Sequence, residues 1–79
     1  MSEPRPTILV IEDEPPLQKF LRATLENEGY SVVVAGRGEE GLRHASVGQP
    51  DLIILDLGLP DMDGMEVTRR LREWMAVPI

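Results

Sequence analysis

Residues 51–56 read Asp-Leu-Ile-Ile-Leu-Asp and residues 57–61 continue as Leu-Gly-Leu-Pro-Asp, so an apolar run ends in a carboxylate and a turn. A second apolar run, Thr7–Ile11, ends as abruptly in Glu-Asp-Glu at residues 12–14. Short β-branched runs of this kind are typical of buried parallel strands, and ligands of open α/β sheets bind at the C-terminal strand ends. If the two strands are neighbours, their carboxylates repel one another unless a cation lies among them. The sequence therefore predicts a divalent-metal pocket.

Composition restricts the class of protein. The chain has 79 residues, of which 42% are hydrophobic and 28% charged, as in an ordinary globular domain of small size. Eight basic and fourteen acidic residues give a net charge of -6, which disfavours binding to nucleic acid by this chain itself. Without cysteine there is no disulfide and no thiolate metal site. No apolar stretch approaches the roughly 18 residues of a membrane span, and a signal-peptide pattern is lacking. We expect no membrane segment and a cytoplasmic location.

Hydrophobic periodicity predicts alternating strands and helices. The predicted strands are Thr7–Ile11, Ser31–Ala35 and Leu52–Asp56, and the predicted helices are about Pro15–Glu28, Glu39–Ser46 and Met65–Met75. Gly29 fits the left-handed residue that follows a helix. Val67, Leu71 and either Trp74 or Met75 form the apolar face of the third helix. The order βαβαβα predicts an α/β fold with a doubly wound parallel sheet and right-handed crossovers.

The two ends of the chain differ from this regular pattern. Residues 1–6, with two prolines, are predicted to form a loose leader. Val-Pro-Ile at residues 77–79 is typical of the opening of a fourth strand, at which the sequence stops. We therefore predict that residues 7–79 are a partial domain, truncated after the third helix and lacking its C-terminal part. Because the third strand would lack a neighbour, we expect low stability and self-association.

The acidic strand ends also suggest a reaction. Asp13 and Asp56 are the predicted metal-facing carboxylates, with Glu12 nearby. Mg²⁺ prefers one or two carboxylates together with waters and phosphate oxygens. Asp56 could then act as a nucleophile toward a phosphoryl group, because a metal ion neutralises the charge of that group and orients it.

Three motifs carry a resemblance to a known family. They are Ile-Leu-Val-Ile-Glu-Asp-Glu at 8–14, the run from Pro50 to Asp61, and Asp-Gly-Met-Glu at 63–66. With their spacing, they resemble the receiver domain of two-component response regulators, and the resemblance covers residues 7–79. Residues 56–61 and 71–79 are most similar to Kdp-type potassium-transport transcriptional regulators. The resemblance implies a flavodoxin-like, doubly wound parallel sheet.

The resemblance also implies roles for individual residues. Asp56 would be the phosphoryl acceptor and Asp13 a direct Mg²⁺ ligand. Glu12 would bind the ion through water, and the backbone carbonyl of Gly58 would be a further ligand. The hydroxyl residue, lysine and aromatic switch residue that the family carries in its later strands have no counterpart before Ile79.

The same resemblance implies partners for the protein. A sensor histidine kinase would supply the phosphoryl group, and the domain would catalyse only its own phosphorylation and hydrolysis, so it is not expected to be an enzyme. DNA would be bound only through an output domain that this chain does not contain. The full-length parent could form a homodimer.

Two other interpretations remain open at this stage. Residues 36–41 read Gly-Arg-Gly-Glu-Glu-Gly, a literal G-x-G-x-x-G, and Asp56 follows about 20 residues later, as in dinucleotide-binding oxidoreductases. Against this, Glu39 and Glu40 would face a pyrophosphate with the wrong charge, and the acidic residues after the first strand would have no role. A stand-alone interaction module with a vestigial acidic pocket is the other alternative.

Overall fold

The computed structural model describes residues 5–73 and 75–79. The predicted leader therefore lies mostly outside the described residues, as does Trp74. The strands are β1 (Thr7–Ile11), β2 (Ser31–Ala35) and β3 (Leu52–Leu55), and the helices are α1 (Pro15–Asn27), α2 (Gly38–Gly48) and α3 (Gly64–Arg72). The strands form one parallel sheet in the order β2-β1-β3. The predicted order of strands and helices is confirmed.

The central strand of the sheet is β1, and its register decides which residues meet at the C-terminal edge. Ile11 at the end of β1 pairs with Ala35 on β2 and with Leu55 on β3. The three strands therefore end at the same level. The residues that follow β1 and β3 emerge side by side, as the sequence predicted.

Alternating side chains of the sheet contribute to two separate cores. On one face, the buried residues of the strands pack with those of α2 and α3: Leu9, Ile11, Ala35, Ile53, Ala45, Val67 and Leu71. On the other face, Ile8, Val10 and Val32 pack with Leu21 and Leu25 of α1. Successive side chains of a strand point to opposite faces, and the apolar run at residues 8–11 of β1 is unbroken, so both faces of the sheet require cover. Helices on both faces confirm the predicted doubly wound α/β fold.

Helix α1 ends as its sequence predicts. Gly29 has a φ of 95°, which is the left-handed region. The amide of Gly29 donates to the carbonyl of Glu26 and the amide of Tyr30 to that of Leu25, at 3.0 and 3.1 Å. This is the Schellman pattern, in which the left-handed residue lets the chain satisfy the last helical carbonyls.

The sequence periodicity predicts an apolar face on α1 made of Leu17, Phe20, Leu21, Ala23, Thr24 and Leu25, and only part of this face is buried. Leu21 and Leu25 are half-buried against the sheet, but Leu17 is 40% exposed and Phe20 is 63% exposed. The reason is that α1 packs mainly against β2, an edge strand. Side chains on the far side of α1 therefore reach beyond the part of the sheet that this helix covers.

Several predicted boundaries were wrong by a few residues. Helix α2 extends to Gly48 because Gln49, with a φ of 46°, and not Gly48, adopts the left-handed conformation. Helix α3 ends at Arg72, three residues earlier than predicted, where the Arg72 guanidinium donates to the carbonyl of Val77 at 2.9 Å. Helix α1 and strand β3 each end one residue early.

Residues 75–79 are not a strand, although they lie where a fourth strand was predicted. The amide of Ile53 on β3 donates to the carbonyl of Pro78 at 2.9 Å. Val77 and Ile79 pack against the core formed with α2 and α3. Pro78 has no amide to extend the pairing. Within the described residues, no helix is both long and apolar enough to cross a membrane.

Candidate metal centre

Three carboxylates converge at the C-terminal edge of the sheet. One oxygen from each of Glu12, Asp13 and Asp56 lies within 4.8 Å of the others. Backbone pairing produces this convergence, since the amide of Glu12 donates to the carbonyl of Ala35 and the amide of Asp56 to that of Ile11, both at 2.9 Å. The backbone pairing thus holds the three side chains together, and no attraction between the carboxylates is needed.

Glu12 is the most buried member of the cluster, with 5% of its surface exposed. Burial raises the pKa of its carboxyl, and the negative charges of Asp56 and Asp13 raise it further. The amide of Glu14, which donates to Glu12 Oε2 at 2.9 Å, partly offsets this effect. A buried carboxylate with two acidic neighbours is the environment that a divalent cation stabilises.

Glutamine 18 fixes the loop that carries two of these carboxylates. Its side-chain amide donates to the backbone carbonyl of Glu12. No motif in the sequence indicates a role for Gln18. The only indication of its role is that Gln18 is a polar residue near the start of α1, from which its side chain can reach the loop before the helix.

Asp56 is half-buried and begins the loop between β3 and α3. The backbone amide of Gly58 donates to Asp56 Oδ1 at 3.2 Å, so Gly58 lies directly beside the acidic cluster. The loop turns back where the amide of Gly64 donates to the carbonyl of Leu57 at 3.1 Å. The structure therefore brings together all four residues that the sequence analysis selected.

Asp61 is a feature of the site region that the sequence analysis missed. Its two carboxylate oxygens accept the amides of Gly38 and Glu39, at 2.7 and 3.0 Å, and so cap the first turn of α2. These hydrogen bonds from Glu39 and Gly38 lower the pKa of the Asp61 carboxyl. Asp61 and the amides that it binds are more than 20 residues apart in the sequence, so no local sequence pattern predicts this contact.

The glycines of the G-x-G-x-x-G segment have structural roles. A side chain on Gly41 would lie 2.5 Å from Ile11 Cδ1, and one on Gly38 would overlap Met62. The amide of Gly36 donates to the Glu40 carboxylate at 2.8 Å, and the amides of Gly38 and Glu39 donate to the Asp61 carboxylate. Amides that a pyrophosphate would need are thus taken by carboxylates. The arrangement favours close packing over dinucleotide binding.

Comparison with known proteins identifies the family. Residues 8–79 match the response regulator receiver domain, and the chain belongs to this family. The KDP operon transcriptional regulatory protein KdpE of Escherichia coli is 51% identical over 72 residues, which cover 91% of this chain and 32% of the relative. The chain thus spans about a third of that relative. The predicted similarity to Kdp-type regulators is confirmed.

Solved structures agree in fold. The response regulator TrrA of Thermotoga maritima, in a structure with Mg²⁺ and BeF, has a TM-score of 0.83 and 40% identity over 86% of this chain and 59% of that one. The complex of histidine kinase ThkA with TrrA includes a chain with a TM-score of 0.84 and 38% identity, covering 89% of this chain and 60% of that one. The receiver fold of two-component response regulators is therefore shown, and the predicted flavodoxin-like class is confirmed.

Proposed function

We propose that this domain accepts a phosphoryl group on Asp56, in a site where Glu12, Asp13, Asp56 and the carbonyl of Gly58 hold Mg²⁺. The observation that carries the proposal is the convergence of three carboxylates within 4.8 Å at one strand edge. The raised pKa of Glu12 supports a cation site, because burial and neighbouring charge disfavour its ionised form unless positive charge is supplied. An all-oxygen donor set suits Mg²⁺.

The residues would act in the following way. An oxygen of Asp56 forms a bond to phosphorus as the bond to the donor nitrogen of a phosphohistidine breaks, and the electron pair of that bond returns to the imidazole. The amide of Gly58 orients the Asp56 carboxylate through Oδ1. Mg²⁺, when bound, offsets the charge that would otherwise keep a phosphoryl group away from three carboxylates. From the segment that follows β1, Asp13 would hold the ion directly and Glu12 through water, while Asp56 would both bind the ion and attack phosphorus.

The similar proteins suggest partners for this domain. The donor would be a sensor histidine kinase, as suggested by the ThkA complex with TrrA. Residues 7–79 would be part of a receiver domain in a cytoplasmic regulator, whose output domain binds DNA and whose full-length form could dimerise. The names of relatives such as KdpE, a transcriptional regulatory protein, support this. The domain would turn over no substrate other than its own phosphoryl group.

Binding of beryllofluoride, a phosphoryl analogue, tests the proposal. Fluorine NMR of the protein with Mg²⁺ and beryllofluoride should show a bound signal that disappears without Mg²⁺ and in Asp56→Asn. Asp51→Asn is the matched control, since Asp51 is an equally acidic residue at the opposite end of β3, where its carboxylate accepts the amide of Thr7 at 2.7 Å. A bound signal that persists in Asp56→Asn, or no signal in the wild type, would reject the proposed function. Binding of NAD would instead favour the dinucleotide alternative.

A further inference from the structure

We propose that Asp61 is a positioning residue for the metal centre: by capping α2, it fixes the loop that carries Asp56 and Gly58 relative to the strand that carries Glu12 and Asp13. This inference rests on the proposed function of the site. Asp61 itself is exposed and is separated from Asp56 by the turn through Pro60, so it would act through the loop and not on the ion.

The loop after β3 is anchored both to the core and to α2. Leu59 is 9% exposed and belongs to the core formed with α2 and α3. Two residues further on, the Asp61 carboxylate binds two successive amides of α2. Met62 then lies against Gly38, where no side chain could be accommodated without displacing it. Gly58 is exposed and precedes these anchors, so the path of its backbone depends on them.

Helix α2 packs closely against β1. Gly41, one turn after the capped amides, allows the helix to approach Ile11 on β1 so closely that a methyl group would overlap it. Ile11 directly precedes Glu12. Asp61 therefore connects the loop on one side of the site to a helix seated on the strand that supports the other side.

The carboxylate of Asp61 suits this role because it can accept two amides of a helix terminus. The first amides of a helix have no intrahelical partner and carry partial positive charge, so a carboxylate is a better acceptor than a neutral group. Asp61 satisfies two of these amides at once, and Arg37 lies close enough to add a favourable charge. An asparagine could offer only one oxygen, and an alanine none.

Magnesium affinity separates positioning from general stability. We would titrate Mg²⁺ into the wild type, Asp61→Ala, Asp61→Asn and Asp51→Asn, following amide NMR shifts at a temperature where each variant is fully folded. Asp51→Asn loses the same charge at the opposite strand ends, where the Asp51 carboxylate accepts one backbone amide. We expect Asp61→Ala to weaken Mg²⁺ binding by about tenfold, as loss of residues that orient metal ligands does elsewhere. Asp61→Asn should lie between, and Asp51→Asn should change affinity by less than about twofold.

The outcomes distinguish this inference from the proposed function. If the wild type binds no Mg²⁺, the metal site itself is rejected, and the positioning role with it. If the wild type binds Mg²⁺ while Asp61→Ala and Asp61→Asn match Asp51→Asn, the site stands and the positioning role is overturned. Should Asp61→Ala fail to fold, Asp61→Asn alone decides, because its remaining oxygen keeps one of the two capping bonds available.

Discussion

The backbone amide of Asp56 donates a 2.9 Å hydrogen bond to the carbonyl of Ile11, the residue that precedes Glu12. This bond continues the pairing of β1 and β3 one step beyond the strands. It fixes the point at which both chains leave the sheet, so their acidic side chains are brought together by backbone geometry. The carboxylate cluster is therefore a consequence of strand register, and a bound cation would relieve the repulsion among its members.

Mg²⁺ binding should require acidic residues from both strands. We expect Asp13→Asn and Asp56→Asn each to weaken Mg²⁺ affinity by about tenfold or more, since even loss of outer residues around a metal has effects of this size. Equilibrium titration followed by NMR measures the change, with Asp51→Asn as the control. Unchanged affinity in either variant would show that the two strand ends do not share one ion.

Removing the charge of Glu12 should stabilise the metal-free protein at neutral pH. The folded-state pKa of Glu12 lies above 4.5, mainly because the side chain is buried. Its ionised form therefore opposes folding at pH values above that raised pKa, and the opposition fades as the pH falls through it. Glu12→Gln keeps an oxygen for the amide of Glu14 and should raise the melting temperature by about 2–4 °C in EDTA.

The stability of Glu12→Gln is compared with that of the wild type in saturating Mg²⁺ as well as in EDTA. An ion at ten times its dissociation constant stabilises the wild type by about 1.4 kcal/mol, and this gain should shrink in the variant. Thermal unfolding with and without Mg²⁺ measures both quantities. A lower melting temperature of Glu12→Gln in EDTA would contradict the electrostatic argument.

Gly64 should tolerate no side chain. A Cβ atom there would lie 2.5 Å from the Cα of Leu57 and 2.9 Å from the carbonyl oxygen of Asp56. Because these are backbone atoms, the loop itself must move, and we expect Gly64→Ala to destabilise the fold by about 1–3 kcal/mol. Gly48→Ala is the matched control, since nothing lies within 4 Å of its Cβ position and alanine favours helix. Chemical denaturation compares them, and equal stabilities would contradict the predicted clash.

Acid should remove a stabilising contribution from α3. The guanidinium groups of Arg69 and Arg70 lower the pKa of the Glu66 carboxyl from 4.5 to about 2. The contribution is therefore present above pH 4.5 and is lost as the pH falls toward 2. Glu66→Gln should reduce stability at pH 7 but match the wild type below pH 2. Because all three side chains are at least one-third exposed, the difference should be small and should shrink further in 1 M salt.

The sequence predicted the strands and the convergence of the acidic residues that follow β1 and β3, because both follow from local patterns. Unbroken apolar runs define β1 and β3, and residues just past a parallel strand must lie at the C-terminal edge of the sheet. Gly29 was assigned correctly because only a left-handed residue lets the chain leave α1 in this way.

Features that depend on distant contacts could not be predicted in this way. Phe20 fits the apolar periodicity of α1, yet its exposure depends on which strand the helix covers. The cap formed by Asp61 on α2 joins segments more than 20 residues apart, and the glycines at 36–41 matched a phosphate-binding motif whose amides are in fact bound by carboxylates. Helix ends were wrong where tertiary bonds decide them, as with Arg72 and Val77.

The most direct test of the account is to locate the phosphoryl group. The protein, treated with a phosphorylated histidine kinase or with acetyl phosphate in Mg²⁺, should carry an acid-stable, alkali-labile acyl phosphate, because the proposed acceptor is a carboxylate in the proposed metal site. Borohydride reduction followed by mass spectrometry should place the label on Asp56, and Asp56→Asn should abolish it. A label on Asp13, Ser46 or His44 would contradict the assignment of Asp56 as the phosphoryl acceptor.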